Sequence, residues 1–146
     1  MTDQAVPAQQ AYLEQALGAQ AAYKLHFHPV WSVKARQRLL IGAVAEALRG
    51  ELARVAETLQ ATILAMHVEP ERVHLLLSLR PDRAVAAIIG RMKGASAYTL
   101  RRSFPQVRAA HEQSLWNDGY FARTIGAINV AQATAYLDRQ RERHGG

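Results

Sequence analysis

The chain has 146 residues, 49% of them hydrophobic and 21% charged, a balance that suits one globular domain and excludes a fibrous or wholly disordered chain. It has no run of about 18 apolar residues, which excludes a membrane-spanning helix. It also has no cysteine, which excludes disulfides, thiol catalysis and zinc fingers and leaves a reducing, cytoplasmic setting as the expectation. The net charge is +6, and because residues 1–22 carry −2 from Asp3 and Glu14, the rest of the chain carries +8. Such an excess favours polyanionic partners, since each phosphate that a cation neutralises releases counterions.

Residues 1–22, rich in Ala and Gln, read as an appended tail with a short helix around residues 11–21. Their start, MTDQAVPAQQ, lacks the basic and apolar pattern of a secretory signal. The domain proper is expected over residues 23–146. It opens with YKLHFHPVWSV, in which Leu25 and Phe27 alternate with Lys24, His26 and His28 as a half-buried strand requires, and Pro29 suggests a bulge or an edge. Leu40, Val44, Leu48, Leu52, Val55 and Leu59 then draw one apolar stripe along a long amphipathic helix.

Two apolar runs follow, residues 62–68 and 72–79, joined by Glu69, Pro70 and Glu71 as a hairpin. Strand alternation places Val73, Leu75, Leu77 and Leu79 on one face and Arg72, His74, Leu76 and Ser78 on the other, so Arg72 and His74 project together. Pro81 and Asp82 suit the start of a second amphipathic helix through Val85, Ile89, Met92, Ser96 and Leu100, which Pro105 ends. After a polar stretch, Asn117-Asp118-Gly119 forms a turn before a strand at residues 120–125. Asn129 caps a last helix over residues 130–143.

The order strand, helix, strand, strand, helix, strand, helix implies an α+β fold: a ferredoxin-like four-stranded antiparallel sheet with two helices on one face and a C-terminal helix beyond it. That plan hosts many functions, including RNA-binding sheets of the RRM kind. An RRM carries aromatics on a central strand, where this chain offers RVHLLL.

RVHLLL at residues 72–77, LWNDGYFARTIG at 115–126 and AYLDRQ at 135–140 together resemble the small single-tyrosine insertion-sequence transposases of the HUH class, the TnpA type. HPVWSVKAR, with Lys34 and Arg36, and KGAS at residues 93–96 support the resemblance, which spans residues 23 to about 140. It implies that Tyr136 attacks a DNA phosphodiester, forming a 5′-phosphotyrosine link and releasing a 3′ hydroxyl. It implies Mg2+ or Mn2+ at the scissile phosphate, with His74 and Gln140 as ligands. Tyr136 and Gln140 are four apart, on one face of a helix. On residues alone, Tyr136 reads as a helix tyrosine packed on the sheet, with Gln140 a solvated neighbour.

Where the family has His, a hydrophobic residue and His, this chain reads Arg72, Val73, His74. A guanidinium has no lone pair to offer a metal. Two outcomes follow: cleavage is impaired and a DNA binder remains, or Arg72 itself contacts the phosphate. His26-Phe27-His28 also has the motif's form, but sits on the first strand, where His28 is expected as a structural or DNA-facing residue. Lys34, Arg36, Arg91, Lys93, Arg101, Arg102 and Arg123 are the candidate DNA contacts. The partners that the resemblance implies are single-stranded DNA with hairpin ends and a second copy of the chain in a homodimer, with no membrane.

Overall fold

The computed structural model describes residues 25–110, 114–125, 135 and 139. The expected N-terminal tail, the C-terminal helix as a whole, Tyr136 and Gln140 lie outside the described residues. In chain order the elements are β1 (Leu25–Ser32), a 3-10 turn (Lys34–Arg36), α1 (Gly42–Thr58), β2 (Thr62–Glu69), β3 (Arg72–Leu79), α2 (Val85–Ser103), α3 (Pro105–Ala110) and β4 (Phe121–Ile125). The four strands form one sheet in the order β2-β3-β1-β4, with every neighbouring pair antiparallel. Among the described residues no helix is long and apolar enough to cross a membrane.

The apolar stripes fold as their periods require. Val44, Leu48, Leu52 and Val55 of α1 and Ile89, Met92 and Leu100 of α2 share one core with Val73, Leu75, Leu77 and Leu79 of β3. Both long helices therefore cover the same face of the sheet. Leu76 points the other way and packs with Leu64, Ala65 and Ile125, so β3 is buried on both faces, as a central strand is.

Three details depart from the sequence expectation. Pro29 marks neither an edge nor a bulge: β1 lies between β3 and β4, and its ladder to β3 passes from Phe27↔Leu77 to Val30↔His74 without a change of register. The bulge is on β2 instead, between Ile63 and Ala65. Because one extra residue reverses the side-chain alternation beyond it, Ile63, Met66 and Val68 all pack on the main core while His67 and Glu69 fall on the face of His74 and Arg72. Finally, the stretch after Ser103 is not wholly irregular. Pro105 opens α3, a position where its missing N–H costs no helical hydrogen bond, and Val107 is buried beneath it.

Candidate functional site

The β2–β3 hairpin builds the centre of the site. Its turn is two residues long, Pro70 and Glu71, so Glu69 and Arg72 stand directly opposite each other. Arg72 Nη1 lies 3.3 Å from Glu69 Oε1, and Arg72 Nη2 lies 3.4 Å from Glu71 Oε2. The same Glu69 oxygen is 3.4 Å from His74 Nε2, and Glu69 Oε2 is 3.8 Å from His67 Nε2. One buried carboxylate thus faces a guanidinium and two imidazoles.

Across the hairpin's other side, β1 brings His28 to His74. The pair shares a hydrogen bond of 3.2 Å between His28 Nε2 and His74 Nδ1, one nitrogen donating and the other accepting, with the rings stacked at 5.5 Å between centroids. Burial holds the His74 imidazole below its usual pKa, and the Glu69 carboxylate opposes that shift only in part. The expected DNA-facing or structural role of His28 acquires a geometry: it backs His74 from the neighbouring strand. His26 pairs with Ser78 farther along the ladder.

Next to these groups is a pocket of about 640 Å³. Arg36, Arg72 and Arg123 line it together with His28, His74, Asn117, Tyr120 and Phe121. The structure therefore gathers two of the candidate DNA contacts, Arg36 and Arg123, beside Arg72 and His74. Arg36 reaches it from a turn in which Ala35 and Arg36 both have positive φ, 59° and 55°, while Lys34 stays exposed in that turn. Tyr120 and Phe121 are 38% and 62% exposed, which leaves two aromatic rings facing solvent at the rim.

The remaining candidates lie elsewhere. Arg91, Arg101 and Arg102 are on α2, which covers the opposite face of the sheet. The Arg102 guanidinium lies 5.8 Å from the Tyr98 ring centroid. Lys93 does not line the pocket. Its ammonium donates hydrogen bonds to the carbonyl oxygens of Asn117 at 2.8 Å and Gly119 at 2.5 Å, and burial lowers its pKa, partly offset by Asp118.

The described residues do not fit the divalent site that the resemblance implies. Arg72 has no lone pair to give, and both ring nitrogens of His74 face other side chains, His28 on one side and Glu69 on the other. Among the described residues no group of three or more His, Asp or Glu side chains is arranged to hold a metal ion. Glu69 is the residue that sequence reasoning missed. Its signal was the spacing Glu-Pro-Glu-Arg: a two-residue turn makes its flanking residues partners, whereas a three-residue connection takes Glu69 out of the ladder.

Comparison with known proteins agrees with this architecture. A family model described as "Transposase IS200 like" matches residues 21–140. The chain is 33% identical over 132 residues to the ISDra2 transposase TnpA of Deinococcus radiodurans, covering 90% of this chain and 94% of that protein. It is 26% identical over 125 residues to the transposase for insertion sequence element IS200 of Salmonella typhimurium, covering 85% and 82%. A crystal structure described as that of a transposase from Deinococcus radiodurans superposes with a TM-score of 0.67 at 33% identity, over 81% of this chain and 92% of that one. A REP-associated tyrosine transposase bound to a REP hairpin shares the fold at a TM-score of 0.60 and 17% identity, over 83% and 68%.

Proposed function

The chain belongs to the IS200-like transposase family, and from that premise we propose that it binds single-stranded DNA with hairpin ends in the Arg36–Arg72–Arg123 pocket, with strand cleavage impaired at Arg72. The observation that carries this reading is the 3.3 Å pair between Arg72 and Glu69. A guanidinium now stands where the family's motif has a histidine, held by a carboxylate that also faces His74.

A guanidinium and a divalent cation serve a phosphate differently. Arg72 can donate two parallel N–H bonds to non-bridging phosphate oxygens, which positions the group and offsets its charge. It cannot coordinate or polarise the phosphate as a Lewis acid. Binding is thus retained while the rate of attack falls. The nucleophile in this reading is Tyr136: its hydroxyl oxygen forms a bond to phosphorus as the bond to the 3′ oxygen breaks, leaving a 5′-phosphotyrosine and a free 3′ hydroxyl. Gln140 is the amide that would sit beside it. A homodimer belongs to the same reading. Support comes from the three arginines in one pocket and from a structural neighbour that holds a REP hairpin.

The test is incubation with hairpin-ended single-stranded DNA and Mn2+, read on native and denaturing gels. The parent is expected to shift the DNA and form little covalent adduct. Arg72→His is expected to form an adduct that disappears when Tyr136→Phe is added. An adduct in the parent as abundant as in Arg72→His would overturn the impairment, and no shift at all would overturn the binding.

A further inference from the structure

Two sequence motifs on separate elements meet at one point. Lys93 and Ser96 belong to KGAS on α2, and Trp116, Asn117 and Gly119 belong to the segment before β4. Trp116 Nε1 donates to the Lys93 carbonyl at 3.1 Å and to Ser96 Oγ at 3.2 Å, while Lys93 Nζ donates back to the carbonyls of Asn117 and Gly119. On its other side the segment is tied to the end of β1. The Asn117 N–H donates to Ser32 O at 2.9 Å, Asn117 Nδ2 donates to Val33 O at 3.3 Å, and the Lys34 N–H donates to Leu115 O at 2.8 Å.

What this clamp holds is one wall of the pocket. Asn117, Asp118 and Gly119 line it directly, and the chain runs from them straight into Tyr120, Phe121 and Arg123. Two carbonyl oxygens turned toward one point repel each other unless a cation or donor lies between them, and Gly119, at φ 77°, takes a conformation that glycine alone adopts without strain. An ammonium has three donors, two of which are committed here.

We infer that Lys93 is a positioning residue, which holds the Asn117–Gly119 turn and through it the Tyr120 and Phe121 rim of the pocket, while Arg123 is held by its pairing with His28 on β1, and that Lys93 does not itself bind phosphate. The inference rests on the DNA-binding reading for its effect on affinity, but the hold on the turn is a separate property. The two roles differ in salt dependence. On single-stranded DNA, removing one cation that neutralises a phosphate flattens the slope of log K against log salt by about 0.7. A positioning residue lowers affinity at every salt concentration and leaves the slope unchanged.

The experiment measures hairpin-DNA affinity over a salt series for the parent, Lys93→Met and Arg123→Met, with amide hydrogen exchange on the unbound proteins. Lys93→Met is expected to bind about tenfold or more weakly, on the scale of hydrogen bonds made by a charged donor, with the parental slope. Its exchange is expected to quicken over residues 115–121, while Arg123→Met flattens the slope. A flattened slope in Lys93→Met with unchanged exchange would overturn the inference. Should that variant fail to fold, Lys93→Gln keeps amide donors without the charge, and its slope decides in the same way. If the parent binds no DNA, the DNA reading fails, and the exchange comparison still decides whether Lys93 holds the turn.

Discussion

Arg72 and Glu69 face each other across the Pro70–Glu71 turn, guanidinium Nη1 to carboxylate Oε1 at 3.3 Å, with only 14% and 7% of their side chains exposed. An ion pair so placed makes Glu69 an internal competitor for whatever anion Arg72 binds.

Glu69→Gln should therefore tighten binding of single-stranded hairpin DNA and steepen its salt slope by up to about 0.7, because a guanidinium left with only the more exposed Glu71 as its ion-pair partner is freer to reach one more phosphate. The same change should lower stability by about 1–3 kcal/mol, the usual cost of removing a hydrogen bond to a charged group. Affinity over a salt series and urea denaturation check both. A parental slope in the variant would show that Arg72 does not reach the DNA.

Chelation separates binding from metal. On the proposed reading, in which Arg72 replaces a metal ligand, affinity of the parent for hairpin DNA should be the same in EDTA as in Mn2+, while adduct formation by Arg72→His should require Mn2+. A parent whose DNA affinity collapses in EDTA would show that other residues recruit a cation.

Phe121 is 62% exposed, so truncating it should leave stability within about 0.5 kcal/mol of the parent, as surface changes do. Its ring lines the arginine pocket. If a base stacks there, Phe121→Ala should weaken single-stranded DNA binding by the equivalent of about 1–3 kcal/mol. Thermal melting and fluorescence anisotropy test the two halves, and unchanged affinity would remove the stacking role.

Leu77 has the opposite profile. It is fully buried on the central strand, facing both long helices, and Leu77→Ala should cost about 2–5 kcal/mol in chemical denaturation through reduced burial and the cavity left behind. A cost under about 1 kcal/mol, well below that range, would mean that the helices close over the gap.

The fold was legible because its signals are local and periodic. The steps along α1 and the alternation along β3 each follow from a repeat in the sequence, and the structure bears out both helix stripes and the placing of Arg72 with His74 on one face. Pro29 misled because a missing N–H is tolerated wherever the neighbouring strand does not need it. Pro105 ends α2 as expected, but proline that ends one helix can also open another, and α3 was not foreseen. The site was legible only in part. Arg36 and Arg123 do meet Arg72 in one pocket, but Lys93, grouped with them by charge, is turned onto carbonyl oxygens.

The sequence by itself determined the basic, cysteine-free composition, the order of the elements, the family resemblance and the Arg72-Val73-His74 triplet. Only the tertiary structure decided what surrounds that arginine. The bulge between Ile63 and Ala65 reverses the alternation of β2 and so delivers Glu69 and His67 to the face of Arg72. The ladder between β1 and β3 brings His28 to His74 across 46 positions of chain. Composition and periodicity act within one segment, whereas register between segments is set by the sum of packing and hydrogen bonds over the whole sheet. The electrostatics of Arg72 depend on that register.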